Sequence, residues 1–169
     1  MTVLETERLI LRQFTTDDAG FILEQLNEPS WIQNIGDRKI RTLDDARAYI
    51  VNGPRASYEK NGFGLWLIVL KETGESIGMC GLIKRDGLED VDIGYALLPR
   101  FWSKGYAVEA AQAVKNHARD VVGLKRLVAI VDPANEGSIR VIEKIGLRYE
   151  KMVRLSADDI DLKLFGTEL

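Results

Sequence analysis

The sequence predicts an α+β domain, and three observations carry that prediction. Three successive β-runs, Gly64 to Lys71, Ser76 to Lys84 and Val91 to Leu97, are separated by the turn sequences Lys71-Glu72-Thr73-Gly74 and Arg85-Asp86-Gly87, the pattern of an antiparallel meander. A strand-helix-strand-helix unit continues from there to Ile145, and its crossover should be right-handed. Two helical patterns precede the meander, so strands and helices are interleaved along the chain.

The first element is a short alternating strand, Arg8 to Phe14. Thr15-Thr16-Asp17-Asp18 then supplies cap residues for a helix carrying Phe21, Ile22 and Leu26, which Glu28-Pro29-Ser30 breaks. A short segment around Trp31 to Ile35 leads through Gly36 to Thr42, which with Asp45 three positions later caps a helix from Leu43 to about Val51. Asn52-Gly53-Pro54 interrupts that helix before a last turn to Lys60. After the meander comes a helix from Gly105 to about Asp120, with Ala107, Ala110, Ala111, Val114, Ala118 and Val121 as its apolar stripe, ended by Gly123. Leu127 to Val131 is a continuous apolar run suited to a fully buried strand. Pro133 stops it, Asn135 caps a helix through Ile145, and Gly146 ends that helix. Two final strands, Leu147 to Leu155 and Ile160 to Phe165, flank a turn at Ser156 to Asp159, giving about seven strands and about four helices in all.

Bulk properties narrow the chemistry. A chain of 169 residues that is 46% hydrophobic and 29% charged is the size and composition of one globular domain, expected to span residues 1–169. Its net charge of -3 provides no overall positive field for nucleic acid, which points to a small or cationic partner. No apolar run is long enough for a membrane span, and Met1 to Leu11 mixes charged with apolar residues, so a cytoplasmic protein is expected. Cys80 is the one cysteine and His117 the one histidine, too few for a disulfide or a multi-ligand zinc site, and no metal is expected. His117 reads as a surface or boundary residue of its helix and Cys80 as core. No G-x-S-x-G elbow or G-x-x-x-x-G-K-[ST] loop is present, and Gly62-Phe63-Gly64 lies before a strand and lacks the third glycine of a dinucleotide fingerprint.

Two segments carry chemistry. In IGYALLPRFWSKGYA, Ile93 to Ala107, a strand passes Pro99 and feeds a helix starting near Lys104. Amides at a helix N-terminus lack intrahelical partners and sit at the positive end of the dipole, and Gly105 lets a ligand approach the backbone. That makes a phosphate cradle, although a plain capping glycine explains the same residue. In DPANEGSIRVIEKIGL, Asp132 to Leu147, Asn135 and Ser138 fall on the first turn of a helix and can face the same crevice, while ordinary capping is the competing explanation.

Taken with ETERLILRQFTTDDA, GLWLIVLKETGESIGMCGL, GYALLPRFWSKGYAVEA and VDPANEGSIRVIEKIGLRYE, these segments resemble the GNAT superfamily of acetyltransferases along nearly the whole chain. The resemblance is nearest to the ribosomal-protein-alanine N-acetyltransferase (RimJ/RimL-type) branch. It implies a mostly antiparallel central sheet with a splayed V between the fourth and fifth strands, and acetyl-CoA as co-substrate. The superfamily's pyrophosphate motif Q/R-x-x-G-x-G/A maps to Trp102, Ser103, Lys104, Gly105, Tyr106 and Ala107. Trp102 replaces Gln/Arg, and Ser103 stands where the branch usually has a second glycine. The resemblance also implies a bulge in the strand ending at Leu97 and Leu98, with the pantetheine arm pairing to the backbone of Ala96, Leu97 and Leu98. Asn135 would orient cofactor or substrate, and Ser138 would donate a hydrogen bond to the departing sulfur, because Ile142 stands where many members carry an acidic tyrosine.

Asp92 is the candidate general base, acting through a water, with a solvent-facing strand residue as the competing reading. Arg100, Lys104, Arg140 and Lys144 are candidates to neutralise cofactor phosphates. Asn27 to Thr42 with Trp31, and the turn Ser156 to Asp159 with Asp158 and Asp159, are the expected acceptor walls, although Trp31 and Trp66 also read as core. The implied reaction is acetyl transfer to a primary amine, with a protein N-terminal α-amine first and an amino acid, polyamine or antibiotic amine second. A non-catalytic acyl-CoA-binding domain and a mononucleotide-binding module are the rival classes. The expected partners are acetyl-CoA and the amine acceptor, without nucleic acid or membrane, in a monomer or homodimer.

Overall fold

The computed structural model describes residues 1–157 and 159–169. The chain begins with a hairpin, β1 (Thr2–Glu5) and β2 (Leu9–Arg12), in which the Thr6 amide donates to the Leu9 carbonyl at 2.9 Å. β1 is a strand that the sequence reading lacked. Four residues with charged and polar ends give no readable alternation, and only pairing with β2 makes them a strand.

Four helices follow: α1 (Ala19–Leu26), α2 (Pro29–Asn34), α3 (Leu43–Ile50) and α4 (Ala56–Asn61). The cap of α3 is the one read from sequence. The Asp45 amide donates to Thr42 Oγ1 at 3.0 Å, and the Thr42 amide donates to the Asp45 carboxylate at 3.2 Å. The expected interruption at Pro54 does not occur. The backbone stays helical from α3 to α4 through a widened π-type turn, Val51–Arg55, which gives the buried proline ring the room a tight turn denies it.

The meander is β3 (Leu65–Leu70), β4 (Ser76–Ile83) and β5 (Asp92–Leu97), after which come α5 (Tyr106–His117), β6 (Arg126–Val131), α6 (Glu136–Lys144), β7 (Arg148–Val153) and β8 (Leu162–Glu168). Among the described residues one sheet holds eight strands in the order β1-β2-β3-β4-β5-β6-β8-β7. Every neighbouring pair is antiparallel except β5 with β6. Strand periodicity builds a core on each face. Leu9, Leu11, Ile68, Ile77, Ile93 and Leu97 pack with α5 and α6 on one side, and Leu67 and Met79 pack with Phe14, Ile22, Leu26 and Ile50 on the other.

β5 and β6 meet at one position only, Asp92 opposite Val128, where the Val128 amide donates to the Val91 carbonyl at 3.1 Å. Beyond it the strands part toward Leu97 and Val131, so the splayed V is present between the fourth and fifth strands of the sequence reading. The expected bulge is not. β5 keeps one unbroken register with β4, from Asp92 opposite Ile83 to Leu97 opposite Gly78, and the Leu98 amide extends it by donating to the Ile77 carbonyl at 2.9 Å. β6 is likewise paired to β8 over its whole length, Arg126 to Val131. Each strand is committed to its own half of the sheet, and twist carries the halves apart from the single bridge.

The β3 and β4 backbones are pressed together at Gly81, where an added Cβ would lie 2.7 Å from Leu65 Cα and closer still to the Gly64 carbonyl. Gly81→Ala should therefore lower stability by about 1–3 kcal/mol, the usual cost of overpacking. A urea midpoint equal to that of the unaltered protein would contradict this packing.

Candidate functional site

β5 passes into α5 through Leu98, a single 3-10 turn at Pro99–Phe101, and the segment 102–105. Ser103 (φ +62°) and Gly105 (φ +82°) both adopt the left-handed conformation. For Ser103 that conformation costs roughly 1–2 kcal/mol, which the surrounding contacts must hold. Helix α5 starts at Tyr106, next to the Gly105 at which the sequence began it, with Gly105 as an N-cap that has no side chain to offer. The first amide turned inward is that of Glu109, which donates to the Gly105 carbonyl at 3.1 Å. The amides of Tyr106, Ala107 and Val108 are therefore left for an external acceptor, and the dipole makes that acceptor an anion.

The loop is held from three sides. The Trp102 indole N–H donates to the Leu97 carbonyl at 2.9 Å, folding the half-exposed ring back over the end of β5. Arg8, in the β1–β2 turn, donates from Nη1 to the Lys104 carbonyl at 3.0 Å and lies over the Tyr106 ring, 4.4 Å from its centroid. Glu109 anchors that arginine. It accepts from Arg8 Nε at 2.7 Å, from the Arg8 amide at 3.0 Å and from the Thr6 hydroxyl, and these donors hold its carboxyl below the usual range despite partial burial. Neither Arg8 nor Glu109 was singled out from the sequence, where 101 residues separate them. Of the four cations considered there, Arg100 is bonded to Glu24 of α1 at 2.9 Å, and Lys104, Arg140 and Lys144 are exposed.

The mouth of the β5–β6 gap opens beside this loop. Alternation in an antiparallel ladder turns the Ala96 and Leu98 backbone toward β4 and that of Tyr95 and Leu97 toward the gap. Since Trp102 takes the Leu97 carbonyl, the groups on that edge are the Leu97 amide and both polar groups of Tyr95. Of Ala96, Leu97 and Leu98, only Leu97 thus presents its backbone to the gap.

On the other wall, Asn135 caps α6 as its residue type suggested, its Oδ1 accepting from the Ser138 amide at 3.2 Å. Ser138 Oγ lies 2.7 Å from the Tyr95 hydroxyl, which also donates to the Ser138 carbonyl at 2.9 Å. Tyr95 is the residue the sequence reading missed. Its burial pushes the phenol well above its ordinary pKa, so it stays protonated at neutral pH. Ile142, 1% exposed, is part of the core and brings no hydroxyl to this region.

Asp92 is not a solvent-facing strand residue. It is 1% exposed, and Arg85 Nε donates to it at 3.1 Å. Burial pushes its carboxyl up to about 6, against the opposing pull of Arg85. By strand alternation its side chain lies on the α3 face, opposite Ile93, Tyr95 and Leu97, and Tyr49 of α3 is within range of Arg85's charge. Asn135, Ser138 and Tyr95 therefore come together, while Asp92 lies across the sheet from them at the closed end of the gap.

Trp31 and Trp66 are both buried in the core, and the Trp31 indole N–H has no partner among the described residues. Asp158 lies outside the described residues, and exposed Asp159 accepts from the Ser156 hydroxyl at 3.0 Å. His117 is half-buried, edge-on to Trp66, and Cys80 is fully buried. No helix among the described residues is long and apolar enough to cross a membrane.

Known proteins share this chain's sequence and shape. The sequence profile of the acetyltransferase (GNAT) domain matches residues 8–148. The uncharacterized N-acetyltransferase YoaA of Bacillus subtilis (strain 168) is 31% identical over 153 residues, covering 90% of this chain and 86% of its own. An acetyltransferase from Agrobacterium tumefaciens str. C58 superimposes with a TM-score of 0.83 at 29% identity, over 99% of this chain and 94% of that one. RimL, a ribosomal L7/L12 alpha-N-protein acetyltransferase solved in complex with coenzyme A, gives a TM-score of 0.84 over 100% and 98% of the two chains, and at 16% identity it shares the fold.

Glu109→Ala should release Arg8, Thr6 and the Lys104 carbonyl together. The expected loss is about 1–3 kcal/mol of stability, read from denaturant unfolding. A variant as stable as the parent would mean that the β1–β2 turn does not hold the loop.

Proposed function

We propose, on the premise that this chain belongs to the GNAT family of acetyltransferases and takes acetyl-CoA as co-substrate, that the amine it acetylates is a protein N-terminal α-amine. In this reading the pyrophosphate lies at the loop from Trp102 to Ala107, on the free amides of Tyr106, Ala107 and Val108, the Trp102 amide being taken by the Pro99 carbonyl at 3.1 Å. A side chain at Gly105 would be strained by the left-handed backbone there (φ +82°), and its Cβ would stand 3.3 Å from Arg8 Nη2. The pantetheine arm enters the gap along Leu97 and Tyr95, pairing with their backbone as an added strand would. Asn135 keeps the first turn of α6 in place, and Ser138 faces the sulfur from it. The acceptor approaches from the opposite face, where Asp92 takes up its proton through a water.

The observation that carries the α-amine assignment is the strength of that base. Asp92 is poised near 6. An α-amine near ~8 lies about 2 units above it, whereas a lysine near ~10.4 lies more than 4 units above and is almost wholly charged at neutral pH. A buried carboxylate of this strength suits the weaker amine. RimL, which shares the fold, acts on a protein α-amine, and that adds support.

A second reading, acetylation of a small cationic amine such as a polyamine, is favoured by a depression of about 300 Å³ on the Asp92 face, where Glu89, Asp90 and Glu150 outnumber Arg126, which pairs with the last two, and Lys151. An amine panel separates the two by amine-dependent release of CoA. A peptide with a free N-terminus and blocked lysines should turn over faster than its N-acetylated, lysine-free-amine counterpart, and faster than polyamines, amino acids or aminoglycosides. Preference for a polyamine would replace the proposal with the second reading. Tight acetyl-CoA binding with no turnover on any amine would leave a non-catalytic acyl-CoA-binding domain.

The pH profile tests the base. Asp92 accepts a proton only when ionised, so kcat/KM should rise with pH through about 6, before the further rise toward ~8 as the amine itself deprotonates. Asp92→Asn should abolish the lower limb and slow turnover at every pH. If that variant keeps both the limb and the rate, Asp92 is not the base.

A further inference from the structure

We infer that Tyr95 is a positioning residue for acetyl transfer, backing the Ser138 hydroxyl so that its proton points at the leaving sulfur; this rests on the proposed role of Ser138. Proton bookkeeping leads there. A tyrosine hydroxyl has one proton, and the two groups within its reach are Ser138 Oγ at 2.7 Å and the Ser138 carbonyl at 2.9 Å. The carbonyl can only accept. When Tyr95 donates to it, the serine proton is spent on the tyrosine oxygen. When Tyr95 instead donates to Ser138 Oγ, the serine proton is freed toward the gap. The carbonyl is not orphaned by the exchange, because a carbonyl in the first turn of a helix also receives the amide four residues on.

Two hydroxyls thus share three acceptors, and a charge appearing in the gap selects the second arrangement. As the amine nitrogen bonds to the acetyl carbon, the carbon–sulfur bond breaks and its electron pair goes to sulfur. The amine's proton passes to Asp92 and then to solvent. The thiolate is held by the Ser138 hydrogen bond until it takes up a proton from water. Tyr95 gains and loses nothing overall, as befits a phenol whose burial disfavours its ionised form. Geometry selects this residue over others: Ile142 is apolar and buried, and Asp92 lies on the opposite face. The Tyr95 side chain, projecting from the strand that borders the gap, delivers a second hydroxyl to α6.

A double-mutant cycle tests it, using kcat, KM for acetyl-CoA and the melting temperature of the full chain. Tyr95→Phe should lower kcat roughly tenfold, the worth of one hydrogen bond made to the developing charge, with KM for acetyl-CoA nearly unchanged. Ser138→Ala should lower kcat at least as far, and the double variant should be no slower than Ser138→Ala alone. Ser138→Thr, which keeps the hydroxyl, should restore both the rate and its sensitivity to Tyr95→Phe. Full activity in Ser138→Ala would remove Ser138 and the inference with it. A slow Ser138→Ala beside a fully active Tyr95→Phe would overturn the inference alone. So would additive losses, or a Tyr95→Phe effect confined to KM and melting temperature, since either would mark Tyr95 as packing only.

Discussion

Much of this protein follows from one constraint: β5 and β6 are joined by a single bridge, Asp92 to Val128, and by nothing beyond it. A parallel pair that zipped along its length would bury the inward edge of β5 and seal the sheet. Each strand is instead paired along its length on its far side, β5 with β4 and β6 with β8, which holds it in place while the backbone groups on its gap side go unpaired. The cost is a strand edge with unpaired amides and carbonyls inside the fold, a cost that a substrate able to pair with them can recover.

Around that gap the proposed site divides its tasks between faces. On the α5–α6 face lie the uncapped amides, the loop clamped by Arg8 and Glu109, and the Tyr95–Ser138 pair. On the α3 face lies a carboxylate whose burial lifts it toward neutrality, with Arg85 keeping it from rising further. The separation has an electrostatic logic. The one carboxylate beside the proposed phosphate cradle, Glu109, is matched by Arg8, and in the proposed site a base against Ser138 would compete for the proton offered to the sulfur. The sheet keeps the two apart while the gap connects them.

What could be read from the sequence was what is encoded locally. The meander, the Thr42–Asp45 cap, the Asn135 cap, Gly146 after α6 and Gly123 after the π-type turn Ala118–Val122 that continues α5 are patterns of a few residues, and the structure repeats them. Pro54 misled because the rule that proline breaks a helix assumes a tight turn, and here the turn widens. β1 was too short to show a period. The site itself depends on contacts between distant positions, 101 residues for Arg8 with Glu109 and 43 for Tyr95 with Ser138, and no spacing rule relates such pairs. Asp92 could be placed on a strand, but its burial, and hence its raised pKa, depends on what covers that face of the sheet.

The two-faced arrangement also bears on the order of events at the proposed site. Donor and acceptor would arrive through separate doors, so neither has to vacate before the other can enter. Such a layout favours handing the acetyl group across while both molecules are seated, with no covalent stopover on the protein. Spent coenzyme would then depart by its own route while the modified chain end drifts off from the far side.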